Sequence, residues 1–107
     1  MIPKVIKVED VIVSREITYI SAEGIREKAT IEIGRPYKME DEVYFCPYRV
    51  GSESYEHIFG SVGIDSFQAL DLSMKTIDAE LVYWVRKKGG SFEFLGEPGT
   101  GFETSNA

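Results

Sequence analysis

The sequence predicts an α+β domain in which a four-stranded antiparallel β-meander packs against one long C-terminal α-helix. Two neighbouring segments near the start alternate apolar and polar residues, and two further segments have strand composition. After residue 65 the apolar spacing changes to three and four, which is typical of a helix. Packing the helix on the meander buries the apolar surfaces of both, so the expected order is β-β-β-β-α, followed by a short tail or strand.

The first two strands are expected at 11–20 and 25–33, joined by a turn in which Gly24 supplies a positive φ. Their alternation has one polar side, which favours an antiparallel sheet. Arg15 interrupts the apolar side, which indicates a position at an edge. The residues expected on the apolar side are Val11, Val13, Ile17, Tyr19, Ile25, Ala29, Ile31 and Ile33.

The third strand is expected at 42–50 and the fourth, less regular, at 55–62. Pro47 has no backbone N–H, so the third strand is predicted to lie at an edge or to be bulged there. The apolar side of the third strand comprises Tyr44, Cys46, Tyr48 and Val50.

The helix is predicted over Ser66–Lys88, with Asp65 or Ser66 as the N-cap and Gly89–Gly90 as the end. A helix of this length spans roughly 35 Å and a ten-residue strand about 33 Å, so the helix can lie along the sheet. A short strand is possible at 91–95, and residues 1–10 and 96–107 are expected to be irregular. The stripe expected to face the sheet is Phe67, Leu70, Met74, Ile77, Leu81 and Trp84.

Length and composition limit the classes of protein to which the chain can belong. The 107 residues suit a single domain spanning 1–107, and 18 acidic against 12 basic residues give a net charge of −6. A hydrophobic fraction of 43% is enough to bury a core, which excludes disorder, and no membrane-protein pattern is present. The acidic balance argues against a nucleic-acid partner. The N-terminal residues MIPKVIKVEDVIV do not resemble a signal peptide, so the expected location is the cytoplasm.

Metal, cofactor and catalytic sites are not predicted. One cysteine and one histidine exclude an internal disulfide and a structural zinc site of the usual type. Cys46 could act as a nucleophile with His57 as its base, because they lie on strands expected to pair, but no signature of a cysteine hydrolase surrounds them. The favoured interpretation is a buried, structural Cys46 and an ordinary strand histidine, so an enzymatic activity is not expected.

A site for an anionic ligand is the first candidate for binding. Arg49 beside Tyr48 could hold a carboxylate or phosphate, and Asp65 and Gln68 lie at the predicted helix start. The alternative is structural: Arg49 pairs with a neighbouring strand glutamate, Glu53 or Glu56, and Asp65 caps the helix.

The outer surface of the helix is the second candidate. It is poor in charge, which suits close packing against another protein or a second copy of the chain. The alternative is tolerated exposure. The residues predicted for this interface are Ala69, Leu72, Thr76, Ala79 and Tyr83.

Two motifs resemble a family of small bacterial proteins of unknown function. One is the strand core Cys46-Pro47-Tyr48-Arg49, and the other is the helix start from Gly63 to Leu70, GIDSFQAL. The resemblance covers the middle of the chain, from the strand end at Ile33 to the helix. It implies a stand-alone bacterial cytoplasmic domain and highlights Cys46, Tyr48, Arg49, Asp65 and Gln68, but it implies no activity.

The function expected from the sequence is therefore a non-enzymatic protein-interaction or binding module, with a protein partner or self-association as a homodimer. The alternative is a small-molecule binding protein or weak enzyme that uses the Tyr48, Arg49, Asp65 and Gln68 region for an anionic ligand.

Overall fold

Within residues 7–102, a seven-stranded antiparallel sheet packs against one helix. A computed structural model of the chain describes residues 7–102, and the expectations for residues 1–6 and 103–107 lie outside this range. The elements are β1 (Val11–Ile20), β2 (Arg26–Gly34), β3 (Tyr37–Lys38), β4 (Tyr44–Gly51), β5 (Glu56–Gly63), α1 (Ser66–Lys88), β6 (Ser91–Phe94) and β7 (Glu97–Pro98).

The α+β class is confirmed, but the sheet has seven strands rather than four. The four expected strands are β1, β2, β4 and β5, and each pairs antiparallel with the next to form the meander. β6 pairs with the end of β1, β7 pairs with β6, and β3 pairs with the start of β4. β3 and β7 have two residues each, which is too short to show any alternation in sequence. β7 lies within the segment that was expected to be irregular.

The prediction for Pro47 was wrong in its placement of the strand. β4 pairs with β5 along its whole length and is not an edge strand. On its other side the partner changes: Tyr48 pairs with Ile33 of β2, whereas Phe45 pairs with Tyr37 of β3. Pro47 lies at this change of partner, where the missing N–H interrupts no continuous ladder.

The helix bounds are as predicted because both ends carry local signals. Asp65 is the N-cap, and its carboxylate accepts a hydrogen bond from the backbone N–H of Gln68 at 2.8 Å. Arg86, Lys87 and Lys88 lie in the last turn, where the helix dipole favours cations. Gly89 and Gly90, both with positive φ, then end the helix.

The predicted helix stripe is correct in its second half and at Leu70, which is partly buried against the core. Ile77, Leu81 and Trp84 are buried, but Phe67 is 85% exposed and Met74 is 46% exposed. In the first half, Ala69 and Ser73 face the sheet instead.

Small residues at the start of the helix explain why its buried side is rotated there relative to the predicted stripe. A Cβ on Gly63 would lie 2.4 Å from the backbone nitrogen of Ala69, so the helix start approaches the sheet too closely for large side chains. Ser73 is tolerated in the core because its hydroxyl donates to the carbonyl of Cys46 at 2.7 Å.

The apolar face of the first hairpin also differs in part from the prediction. Ile17, Ala29 and Ile31 are buried as expected, but Val11, Val13 and Ile25 are exposed. Ile25 belongs to the turn, where its carbonyl accepts the N–H of Ser21. Val11 and Val13 flank a register shift in the β1–β2 pairing. The main core consists of Ile17, Tyr19, Ala29, Ile31, Ile33, Cys46, Tyr48, Val50, Ala69, Ile77, Leu81, Trp84 and Phe92.

Trp84 joins the end of the helix to three other segments. Its ring centroid lies 4.5 Å from that of Tyr55, 4.9 Å from Tyr19 and 5.0 Å from Phe92. Tyr19 also donates a hydrogen bond to the carbonyl of Gly89 at 2.6 Å, so β1 contacts both the last turn of the helix and its C-cap.

Replacing Trp84 with alanine is expected to destabilise the domain strongly. The change removes a fully buried ring with three aromatic neighbours, for which about 3–5 kcal/mol of unfolding free energy is the usual loss. Val82→Ala, on an exposed side of the same helix, is the matched control and should change stability by less than about 0.5 kcal/mol. Urea unfolding followed by far-UV circular dichroism measures both, and equal losses for the two variants would contradict the central role of Trp84.

Candidate functional site

Tyr48 and Arg49 lie on opposite faces of β4. Tyr48 is buried against the helix, and its ring centroid is 6.3 Å from that of His57. Arg49 lies on the polar face, where its guanidinium is 2.6 Å from the Glu56 carboxylate and 3.9 Å from that of Glu32. The ion pair with Glu56 is one of the two structural alternatives given by the sequence.

Asp65 and Gln68 form a reciprocal cap at the helix start. The Asp65 carboxylate accepts the Gln68 N–H, and the Gln68 side-chain oxygen accepts the N–H of Ile64 at 2.7 Å. Both polar side chains thus satisfy backbone groups of the turn itself.

The four residues predicted for an anionic ligand are not brought together. The helix start follows Gly63, which pairs with Tyr44 at one end of the β4–β5 ladder. Arg49 pairs with Ile58 towards the other end. Tyr48 is inaccessible between sheet and helix, so no surface presents all four side chains at once.

The outer surface of the helix contains most of the residues predicted for an interface, with one correction. Leu72 is 36% exposed, Tyr83 is 51% exposed, and Ala79 is exposed between them. Thr76 is half-buried beside β5, and its hydroxyl donates to the Leu72 carbonyl at 2.8 Å. Ala69 is fully buried on the sheet side, because the close approach of Gly63 requires a small residue there.

Cys46 and His57 do not form a nucleophile–base pair. Cys46 is fully buried, and its thiol donates to the carbonyl of Gly34 at 3.6 Å. Burial raises the pKa of the Cys46 thiol, which disfavours the reactive thiolate. His57 Nε2 lies 3.4 Å from a Glu80 carboxylate oxygen on the helix, so its polar neighbour is an acid and not the thiol.

An apolar groove runs between the sheet and the first half of the helix, and sequence reasoning missed it. Its volume is about 290 Å³. It exists because the helix packs chiefly on β4 and β5, which leaves the first part of β1 and the end of β2 only partly covered. The signal in the sequence was Arg15, which breaks the apolar alternation of β1. The groove is lined by Ile12, Val13, Ser14, Arg15, Ile31, Ile33, Leu70, Met74 and Phe102.

Residues 13–104 match the family model described as Domain of unknown function (DUF6968). The chain belongs to this family. The match covers the whole sheet apart from the first two residues of β1, and it includes the helix and every residue that lines the groove except Ile12. No curated protein and no solved structure matches the chain.

Among residues 7–102, histidine, cysteine, aspartate and glutamate side chains do not gather in groups of three or more that could hold a metal ion. The helix in this range is not long and apolar enough to cross a membrane.

The Cys46 thiol is expected to be inert in the native domain. A disulfide exchange reagent should label it slowly at neutral pH and completely after denaturation in guanidinium chloride, because only unfolding exposes the sulfur and restores its ordinary pKa. Absorbance of the released thiolate measures both rates. Rapid labelling of the native domain would contradict a structural role for Cys46.

Tyr48→Phe is expected to leave stability at neutral pH unchanged or slightly higher. The Tyr48 hydroxyl is buried and has no hydrogen-bond partner among the described residues, so its removal deletes no bond. Burial, with the Glu80 carboxylate nearby, raises the pKa of Tyr48 well above its ordinary value.

The sign of the alkaline effect follows from this raised pKa. Above about pH 10 the unfolded chain loses the Tyr48 proton while the folded domain retains it, so stability falls as pH rises. Tyr48→Phe should therefore lose less stability than the parent between about pH 8 and about pH 11. Urea unfolding at both pH values is the measurement, and Tyr37→Phe, at an exposed position, is the control. Identical slopes for Tyr48→Phe and the parent would contradict the burial of this hydroxyl.

Proposed function

We propose that this DUF6968 domain is a non-enzymatic protein-interaction module that associates with a second copy of itself through the outer surface of α1. The observation that carries the proposal is the exposure of Leu72 and Tyr83 on a helix side whose middle position is the small Ala79. Side chains of this kind bury area at low desolvation cost, and a small residue at the crossing point lets two helices approach closely.

Charge along the helix supports an antiparallel pairing of the two copies. Asp71 lies about 12 Å before Ala79 and Arg86 about 10 Å after it, at 1.5 Å per residue. A two-fold axis beside Ala79 would therefore place Asp71 of one copy level with Arg86 of the other. Asp71 already pairs with Lys75 of its own helix, but both side chains are exposed, so that pair is weak and open to exchange. Arg86 forms no ion pair with residues 7–102, which leaves its charge available.

The alternative of an anionic ligand at Tyr48, Arg49, Asp65 and Gln68 has less support. Arg49 is held by two glutamates, and Asp65 and Gln68 satisfy the helix cap. A ligand at any of them would first have to displace an internal partner.

The double variant Leu72→Glu/Tyr83→Glu is expected to weaken self-association by at least about tenfold, because each copy would bring two like charges into the contact. Sedimentation velocity over a concentration series measures the dissociation constant. The control is Ile25→Glu/Leu95→Glu, which adds the same charge at exposed apolar positions in turns away from the helix.

Two results would overturn the proposal. One is a wild-type domain that stays monomeric at every concentration tested. The other is a dimer that the two double variants weaken equally, since the contact would then lie elsewhere or depend only on net charge.

A further inference from the structure

The groove contains an arginine, Arg15, that forms no ion pair with the acidic residues of 7–102. Arg15 projects from the same side of β1 as the core, because it pairs with the buried Ile31. Its guanidinium carbon lies 4.3 Å from the ring centroid of Phe94 and 4.4 Å from that of Phe102. One nitrogen donates to the carbonyl of Thr100 at 3.3 Å. Two rings and one backbone oxygen therefore hold the guanidinium in a fixed orientation.

Three of the four other arginines pair with carboxylates, and the fourth, Arg86, is exposed in the last turn of α1 and forms no ion pair within residues 7–102. Arg26 pairs with Glu93, Arg35 with Asp10, and Arg49 with Glu56 and Glu32. No carboxylate of residues 7–102 lies within ion-pair distance of Arg15. A guanidinium has five N–H donors in a planar fork that matches a carboxylate. The Thr100 carbonyl accepts from only one nitrogen of the Arg15 guanidinium. A half-buried cation with donors to spare at the edge of an apolar groove is a recognition group for an anion.

The remainder of the groove is suited to a hydrocarbon chain. Val13 and Ile33 form its floor on the sheet, and Leu70 and Met74 form its wall on the helix. Phe102 lines the groove and also stacks on Arg15, so the charged end and the apolar channel are contiguous. A volume of about 290 Å³ lies at the lower end of the range for small-molecule sites and is too small for a folded segment of protein.

We propose that this groove binds a small apolar monocarboxylate of the medium-chain fatty-acid class, with the carboxylate on Arg15 and the hydrocarbon chain between β1, β2 and the first half of α1. Charge complementarity at Arg15 selects the acid, and the apolar lining selects the chain. The binding site is separate from the proposed self-association surface, because Leu70 and Met74 lie on the opposite side of the helix from Leu72 and Tyr83.

Isothermal titration calorimetry of the full chain with decanoate tests the proposal. Decanol, which lacks the charge, and acetate, which lacks the chain, are the comparison ligands. Decanoate should bind at least about tenfold more tightly than either, because only decanoate satisfies both the guanidinium and the apolar lining. Arg15→Gln should remove most of the preference for decanoate over decanol, and Arg15→Lys should retain part of it.

A second variant keeps the test decisive if loss of Arg15 disturbs the packing of Phe94 and Phe102. Met74→Glu places a carboxylate in the groove wall and should weaken decanoate binding by at least about tenfold. Val82→Glu is the matched control, since Val82 and Met74 are each 46% exposed on the same helix and Val82 does not line this groove. Val82→Glu should bind decanoate as the parent does.

Three outcomes would overturn the proposal: no decanoate binding by the parent domain, equal affinity for decanoate and decanol, or equal effects of Met74→Glu and Val82→Glu. None of them depends on whether the domain self-associates.

Discussion

The packing of Trp84 against three aromatic rings is the contact on which the arrangement of the domain depends. Tyr19 is on β1, Tyr55 precedes β5 and Phe92 is on β6, so one indole side chain joins segments that lie far apart in the sequence. With the hydrogen bond from Tyr19 to Gly89, this cluster fixes both the rotation and the end of α1. The other end of the helix is held by the reciprocal cap and by the close approach of Ala69 to Gly63, which leaves no room for a side chain at Gly63. A helix held at both ends in this way has one position on the sheet.

That position has a consequence for the surface. Because the helix packs chiefly on β4 and β5, the sheet is wider than the helix can cover, and the first part of β1 keeps apolar side chains without a helix above them. β6 pairs only with Thr18–Ile20, so next to Arg15 the strand has no second neighbour among the described strands. The segment Thr100–Phe102 occupies this place instead, and it contributes a carbonyl and a ring to Arg15 rather than a ladder of backbone hydrogen bonds. The groove thus results from a mismatch in width between one helix and a seven-stranded sheet.

Features with a local cause could be predicted from the sequence, and features that depend on distant contacts could not. The bounds of α1 were predictable because Asp65, the basic last turn and Gly89 act within a few residues of the helix ends. Alternation of apolar and polar residues located the first hairpin, β1 and β2, and strand composition located β4 and β5. The helical spacing of three and four predicts Phe67 and Met74 in the core and misses Ala69. The reason is that such a stripe counts apolar residues and takes no account of the close backbone approach at Gly63. The four residues of the candidate anion site do not share one surface for a related reason: Tyr48 and Arg49 are neighbours in sequence, but neighbours on a strand point to opposite faces.

Arg15 interrupts the apolar side of β1, and its contacts give this departure from the alternation a physical meaning. An arginine on the core side of a strand is costly unless something compensates for its charge. Among residues 7–102 the compensation is two aromatic rings and one carbonyl rather than a carboxylate. A purely structural requirement at this position would be met at lower cost by an apolar residue that continues the alternation of Ile17 and Tyr19. The rings and the carbonyl orient the guanidinium but do not use all of its N–H donors. The side chain lines a groove whose other walls are apolar. A cation that is held in place, and that no carboxylate of residues 7–102 neutralises, is suited to a partner that brings its own negative charge and an apolar body of matching size.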